Sequence, residues 1–83
     1  MWFTYVLRSH VDNGYYIGFT GDIQKRIIEH QDGSVDSTKN RRPIELIYYE
    51  AYAEEAMARQ RESKLKQFGS SYVGLLKRLG ERS

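Results

Sequence analysis

Residues 2–20, WFTYVLRSHVDNGYYIGFT, decide the fold of this chain. Residues 2–8 and 15–19 are rich in aromatic and β-branched side chains, as β-strands are, and successive side chains over 2–8 would point to alternate faces of a sheet. Between these two segments, residues 12–14, DNG, are typical of a turn. The stretch therefore predicts a β-hairpin.

The register of this hairpin decides where its tyrosines lie. Directly opposite residues of an antiparallel pair share a face, so Tyr5 and Tyr16 share one only if opposing residue numbers add to an odd total, such as Tyr5 opposite Tyr16. A slip of one residue would separate them. Gly18 either weakens the second strand or allows another group to approach its backbone closely.

The segment after the hairpin predicts an amphipathic helix over about 22–32. Asp22 is a good N-cap, and Gly33 is a natural stop. Ile23 and Ile27 form the apolar stripe. At about 100° per residue His30 projects between them, and we expect it to point towards the sheet. A semi-buried histidine with satisfied hydrogen bonds is an equally plausible explanation of this position.

Residues 44–52 predict a third strand. Strict alternation would place Leu46 and Tyr48 on one face and Ile47 and Tyr49 on the other. Because both faces are apolar, we expect this strand to be the central or best-covered one.

A second helix is predicted from Glu54 to about Phe68, and it ends at Gly69. Its apolar side holds Met57, Ala58, Arg61, Leu65 and Phe68. Glu62 falls at the edge of that side, where its carboxylate could reach over the sheet. The alternative is a surface pair with Lys66, one turn further along the helix.

A last helix begins at Ser70 or Ser71 and packs through its apolar stripe, which is Tyr72, Leu75, Leu76 and Leu79. The predicted fold is a single α+β domain over residues 1–83. It has a three-stranded antiparallel sheet flanked by helices, in the order β-β-α-β-α-α.

Composition excludes several classes of protein. The chain has 83 residues and no cysteine, so zinc fingers, disulfide scaffolds and cysteine nucleophiles are ruled out. No targeting segment is visible, and the first apolar run is far shorter than the roughly 20 residues of a membrane span. We expect a cytoplasmic protein.

Positive charge is concentrated in two regions although the net charge is only +2. One is Lys39, Arg41 and Arg42. The other covers residues 59–82 and includes Lys64 and Lys66. Such clusters can bind a polyanion because each phosphate contact releases counterions. From charge alone, a solvated helix face is an equally good interpretation.

Two short motifs carry a resemblance to a known family. Thr4-Tyr5-Val6 and Tyr16-Ile17-Gly18 resemble the two blocks that name the GIY-YIG nuclease superfamily. The likeness extends over roughly residues 2–80, through segments 22–30, 41–50 and 54–66. The chain is similar to the small stand-alone members, which in turn resemble the N-terminal nuclease domain of excinuclease C.

The resemblance implies an active site and a cofactor. In it, Tyr5 would be the general base or the group that orients water, and Tyr16 would be the second tyrosine. Arg26 would stand near the scissile phosphate, His30 would match the helix histidine, and Glu62 would bind a divalent metal. One carboxylate plus substrate oxygens suits Mg²⁺ (or Mn²⁺). A tyrosine needs a nearby cation to act as a base at neutral pH.

The sequence also departs from the family pattern. The first motif lacks the glycine and isoleucine of the family name. Ser37 takes the place, beside Thr38, where many relatives carry an aromatic residue or a histidine. Known relatives attach further DNA-binding domains, so we expect weak affinity for DNA alone and a protein partner that supplies DNA specificity.

Three hypotheses follow. The first is a divalent-metal-dependent endonuclease that hydrolyses DNA phosphodiester bonds, with a role in DNA repair or recombination. The second is a nucleic-acid-binding module of the same fold with little or no activity. The third is a structural domain whose tyrosines belong to its core.

Overall fold

In a computed structural model of the chain, which describes residues 1–67, the elements follow the order β-β-α-β-α. They are β1 (Trp2–Ser9), β2 (Tyr15–Thr20), α1 (Ile23–Asp32), β3 (Ile44–Tyr52) and α2 (Glu55–Gln67). The α+β fold and the three-stranded antiparallel sheet are confirmed. The predicted last helix and the stop at Gly69 lie outside the described residues. Within residues 1–67, neither helix has the length and apolar character needed to cross a membrane.

The hairpin forms in the required register. Tyr5 pairs with Gly18 and Leu7 with Tyr16, so opposing residue numbers add to an odd total. Tyr5 and Tyr16 therefore share a face of the sheet, as the catalytic hypothesis requires. The turn is closed by the backbone of Gly14, whose N–H donates to Asp12 Oδ1 at 2.8 Å.

The prediction that the third strand is central was wrong. The sheet order is β2-β1-β3, which places β1 in the centre and β3 at an edge. Four consecutive residues of β1, from Thr4 to Leu7, are buried. On β3, in contrast, Tyr49 is 53% exposed. The apolar residues on both faces of β3 predict that both faces are covered, but part of this apolar surface faces solvent.

A bulge in β3 also changes which residues share a face. Val6 pairs with Tyr48 and Leu7 with Leu46, so Ile47 is an extra residue. Ile47 and Tyr48 consequently pack in one cluster, while Leu46 packs in the other. The prediction that Leu46 and Tyr48 lie on the same face of the sheet is therefore wrong.

The two helices cover opposite faces of the sheet. Ile23 and Ile27 of α1 pack on the face that holds Tyr5 and Leu7. Leu65 of α2 packs on the other face, against Val6 and Ile17.

Helix α2 is fastened to the central strand but fits its predicted pattern only in part. Thr4 Oγ1 donates to the carbonyl of Ala58 at 2.7 Å and joins α2 to β1. Met57 is 48% exposed, so the predicted apolar side of α2 is narrower than its sequence suggests.

Helix α1 begins and ends as predicted. The carboxylate of Asp22 accepts a hydrogen bond from the backbone N–H of Lys25 at 3.1 Å, as an N-cap does. Gly33 ends the helix in the left-handed region, at φ 87°. Between these caps His30 points into the protein and is fully buried.

Candidate active site

Tyr5 reaches the edge strand β2 because its partner there is a glycine. A Cβ atom on Gly18 would lie 2.5 Å from the hydroxyl oxygen of Tyr5 and 2.7 Å from its Cζ atom. The ring therefore lies across the backbone of β2, in space that any larger residue would fill. This close approach explains the glycine within the strand.

Three rings meet on the face covered by α1, and we call them the ring cluster: Tyr5, Tyr16 and His30. The Tyr5 hydroxyl and His30 Nε2 are 2.9 Å apart. The ring centroids are 6.4 Å apart for Tyr5 and Tyr16, and 5.1 Å apart for Tyr16 and His30. The structure thus brings together three residues that the family resemblance names as catalytic.

Thr38 completes the hydrogen bonding of His30. Its Oγ1 lies 2.7 Å from His30 Nδ1, and both side chains are buried. Ser37, which the family resemblance placed at this part of the loop, is exposed. The sequence offered no periodic signal in the loop to distinguish these two neighbouring hydroxyls.

The environment of His30 keeps its ring neutral. Burial lowers the pKa of His30 to about 4, with help from the positive charge of Arg26 and against the opposing charge of Glu29. A neutral imidazole donates through one nitrogen and accepts at the other. Tyr5, His30 and Thr38 therefore form a buried chain of hydrogen-bonding groups.

Tyr5 is a protonated phenol at neutral pH. Burial raises its pKa to about 12, and the charges of Tyr16 and Glu62 act in the same direction. Arg26 is the nearby cation that a tyrosine base would require, and its hydrogen bond opposes this rise. Burial outweighs the cation, so the protein by itself does not turn Tyr5 into a base.

Arg26 lies beside the ring cluster, where it interacts with the Tyr5 hydroxyl. Its side chain is 37% exposed, and Nη1 donates to Glu29 Oε1 at 3.1 Å. Burial disfavours its charge, but Tyr5 and Glu29 outweigh that effect and raise the pKa of Arg26. Arg26 is therefore a permanent, accessible cation beside the Tyr5 hydroxyl.

Glu62 lies on α2, which covers the face of the sheet opposite the one that holds Tyr5. It follows Ala58 by four residues and precedes Leu65 by three, so it shares the sheet-facing side of the helix with these buried residues. Its side chain is 19% exposed and forms an ion pair with Lys66 at 3.4 Å. Its charge also contributes to the raised pKa of Tyr5. The surface pair with Lys66 is therefore present, while the metal-binding role of Glu62 stays a prediction.

The donor set fits a divalent cation that needs few protein ligands. Among residues 1–67, no three carboxylate or imidazole side chains are close enough to form a metal site by themselves. Mg²⁺ is commonly bound through one or two carboxylates, with substrate phosphate oxygens and waters completing its shell. A mostly buried oxygen donor such as Glu62 suits Mg²⁺ or Mn²⁺ in that role.

The basic loop residues are largely occupied within the protein. Arg41 donates to Asp12 Oδ2 at 3.2 Å and so ties the loop to the hairpin turn. Lys39 lies 3.6 Å from Asp36, and the carbonyl of Lys39 accepts from Arg42 Nε at 2.9 Å. Arg41 thus has a structural role that its charge alone did not indicate.

The basic residues of α2 differ in their surroundings. Lys66 is engaged by Glu62, whereas Lys64 is exposed and lines a shallow cleft with Arg59. The predicted contacts of Lys39, Arg41, Arg42, Lys64 and Lys66 with nucleic acid remain predictions.

Replacing Thr38 by valine is expected to destabilise the fold. Valine keeps the shape of threonine but removes the only hydroxyl seen at His30 Nδ1 among the described residues. A buried polar group that loses its partner costs about 1–3 kcal/mol. Urea denaturation at neutral pH measures the loss. Ser37→Ala is the matched control: its side chain is exposed, and we expect a change within about 0.5 kcal/mol. Equal effects of the two substitutions would contradict the role of Thr38.

Comparison with known proteins shows what the chain is similar to. The family model described as the GIY-YIG catalytic domain matches residues 1–75. A UPF0213 protein of Staphylococcus epidermidis is 36% identical over 67 residues, which cover 80% of each chain.

Two Bacillus relatives are longer than this chain. A UPF0213 protein of Bacillus pumilus is 41% identical over 63 residues, which are 75% of this chain and 63% of that protein. UPF0213 protein YazA of Bacillus subtilis is 42% identical over 65 residues, which are 77% of this chain and 65% of that protein. The match thus spans less than two thirds of either relative.

A solved structure agrees with the fold. The solution NMR structure of a UPF0213 protein from Bacillus halodurans superimposes with a TM-score of 0.55 and 27% sequence identity. The match covers 90% of this chain and 85% of that one. The UPF0213 names state no activity, so any reaction has to be argued from the site.

Proposed function

Because the chain belongs to the GIY-YIG family, whose domain is generally a nuclease fold, we propose that it is a divalent-metal-dependent endonuclease that hydrolyses DNA phosphodiester bonds. The observation that supports this most is the accessible cation Arg26 beside the Tyr5 hydroxyl, which His30 in turn holds at 2.9 Å. A phosphate at Arg26 would lie next to a group that can orient water. The proposal includes a protein partner that supplies DNA specificity.

Arg26 binds the scissile phosphate. Hydrolysis builds negative charge on the phosphate oxygens, and a fixed cation at that place stabilises the transition state. The guanidinium presents five N–H donors in a planar fork, so it can bind phosphate while one donor remains on Glu29. Glu29 thereby holds the fork in position.

Tyr5 orients the attacking water through its hydroxyl. With a pKa of about 12, it is a donor or acceptor of hydrogen bonds, not an anion. His30 can donate to Tyr5 or accept from it, depending on its tautomer. The Thr38 hydroxyl can correspondingly donate to Nδ1 or accept from it. The Tyr5 proton can therefore point to or away from a water without leaving a buried group unpaired.

Glu62 would hold the metal ion. A divalent cation in such a site stabilises charge on the phosphoryl oxygens and lowers the pKa of a bound water. The carboxylate that would hold it lies on the sheet-facing side of α2, and its charge contributes to the raised pKa of Tyr5.

The second candidate is a nucleic-acid-binding module of the same fold that has little or no catalytic activity. The observation that favours it is the exposed pair of basic residues on α2, Arg59 and Lys64, which can attract phosphates without any catalytic group. Such a module would bind DNA in a salt-dependent manner and leave it intact.

The purified protein should cut DNA in the presence of Mg²⁺ or Mn²⁺ and not in the presence of a chelator. End-labelled branched, nicked and plain duplex DNA are incubated under both conditions, and products are separated on denaturing gels. Binding is measured in parallel at low and high salt. Salt-dependent binding of intact DNA under every condition would replace the endonuclease by the second candidate.

A further inference from the structure

An open cleft of about 460 Å³ lies beside Arg26, where β2 is followed by α1. Its walls come from the sheet, from the turn between β2 and α1 and from α1 itself. They are Trp2, Phe19, Thr20, Gly21, Asp22, Lys25, Arg26 and Glu29. The volume falls within the usual range for sites that bind small molecules or parts of larger ones.

Two aromatic rings line this cleft. The ring centroids of Trp2 and Phe19 are 6.4 Å apart, and the ring planes are tilted by 41°. Both side chains are only half-buried, and neither belongs to the two apolar clusters formed by residues 1–67. They are therefore available to a ligand with a flat apolar surface.

Contacts on either side hold the ring pair in place. A Cβ atom on Gly21 would lie 3.3 Å from two atoms of the Trp2 ring, so the glycine lets that ring lie close to the turn. From α2, the guanidinium of Arg59 lies 5.7 Å from the centre of the Phe19 ring, within cation–π distance. An aromatic surface positioned in this way loses little conformational freedom when a ligand stacks on it.

The charges in the cleft are balanced. Lys25 and Arg26 face Asp22 and Glu29, and Glu29 accepts from Arg26 at 3.1 Å. A phosphate alone would therefore find only modest net attraction. A ligand that combines a phosphate with a flat ring would use both Arg26 and the aromatic pair.

We propose that this cleft binds an unpaired nucleobase, which stacks on Trp2 and Phe19 while its neighbouring phosphate lies at Arg26. Inside a duplex both faces of a base are covered by its neighbours, so only an unpaired nucleotide can offer a face to these rings. The substrate class is then a single-stranded segment, either free or in a gap, flap or branch. The inference rests on the proposed function only in taking nucleic acid as the ligand.

The fluorescence of Trp2 reports this contact directly, because Trp2 is the single tryptophan of the whole chain. The full-length protein is titrated with a mixed-sequence single-stranded oligonucleotide in the presence of a chelator, which prevents cleavage. We expect saturable quenching. A blunt duplex of the same sequence should quench much less.

Substitutions separate ring stacking from general attraction to DNA. Binding of a labelled single strand is measured by fluorescence anisotropy. Because stacking of one base contributes on the order of 1–3 kcal/mol, Trp2→Leu and Phe19→Leu should each raise Kd by about 5- to 150-fold. Trp2→Phe keeps a ring and should retain most of the affinity, which guards against loss of folding in Trp2→Leu. Tyr49→Leu, an exposed aromatic outside the cleft, should bind as the native protein does.

The outcomes distinguish this inference from the proposed function. Quenching by single strands without cleavage in Mg²⁺ or Mn²⁺ would support the stacking site and reject the endonuclease. Cleavage with no quenching, with equal binding of duplex and single strand, or with unchanged Kd in both leucine variants would overturn the stacking site and leave the endonuclease standing.

Discussion

Replacing Arg26 by alanine is expected to slow DNA cleavage by about 100- to 1,000-fold, the usual effect of removing one preorganised donor that stabilises transition-state charge. Arg26 is the accessible cation next to the Tyr5 hydroxyl, and its pKa is raised by Tyr5 and Glu29. Its loss removes both the proposed phosphate contact and the charge that opposes the raised pKa of Tyr5. Single-turnover rates measure the effect.

Two further variants make the test of Arg26 specific. Arg26→Lys keeps a positive charge but loses the planar fork, so we expect a rate between those of the native protein and Arg26→Ala. Gln24→Ala changes an exposed position on the same helix and should cut at the native rate. Native rates in Arg26→Ala would show that this arginine does not contact the scissile phosphate.

The substitution Gly18→Ala is expected to destabilise the fold by about 1–3 kcal/mol, as overpacking does in a well-filled interior. An added methyl group would lie 2.5 Å from the Tyr5 hydroxyl oxygen and 2.7 Å from Cζ, so the ring must move away. Without this clash, alanine in a strand would be more stable than glycine by roughly 0.5–1 kcal/mol. Cleavage should fall as well, because the displaced hydroxyl no longer meets His30 at 2.9 Å.

Comparison with a second glycine isolates the steric cause. At Gly21 an added methyl group would approach the Trp2 ring only to 3.3 Å, so we expect Gly21→Ala to cost less free energy of unfolding. In the Tyr5→Phe background, Gly18→Ala loses the clash with the hydroxyl but keeps the one with Cζ, so its cost should fall only in part. If Gly18→Ala unfolds at the native urea concentration, Tyr5 does not lie across β2.

Local rules predicted much of the framework. The caps at Asp22 and Gly33 and the inward direction of His30 follow from short-range chemistry and from the helical period. The hairpin follows from its turn and strand patterns, although its register does not. These features depend on residues near in sequence or on a single strand pairing.

Features set by long-range packing could not be predicted from the sequence. One extra residue, Ile47, reverses the alternation within β3, and no local pattern marks it. The apolar character of β3 suggested a central strand, yet the sheet leaves Tyr49 at an exposed edge. Periodicity predicts which side chains of a strand share a face, but it does not predict which strands lie next to it in the sheet.

Which side chains of the candidate site lie together could be predicted from the sequence, but the pKa values of these side chains could not. Tyr5, His30 and Arg26 lie together, but only the three-dimensional burial of Tyr5 reveals that its pKa rises to about 12 despite the nearby arginine. Thr38, not Ser37, turns inward. Its backbone N–H donates to the carbonyl of Val35, and its hydroxyl meets His30 Nδ1. The contact of Arg41 with the hairpin turn could not be predicted, because its partner Asp12 is 29 residues away in sequence.

The most direct measurement of the central claim compares single-turnover DNA cleavage in Mg²⁺ by the native protein and by Glu62→Gln. Glutamine keeps the size of the side chain and removes the charge that a divalent cation requires. Glu55→Gln, an exposed position in the first turn of the same helix, is the matched control. We predict metal-dependent cleavage by the native protein and by Glu55→Gln, and a loss of about 100-fold or more in Glu62→Gln. Cleavage by Glu62→Gln at the native rate, or no cleavage by the native protein, would contradict the account.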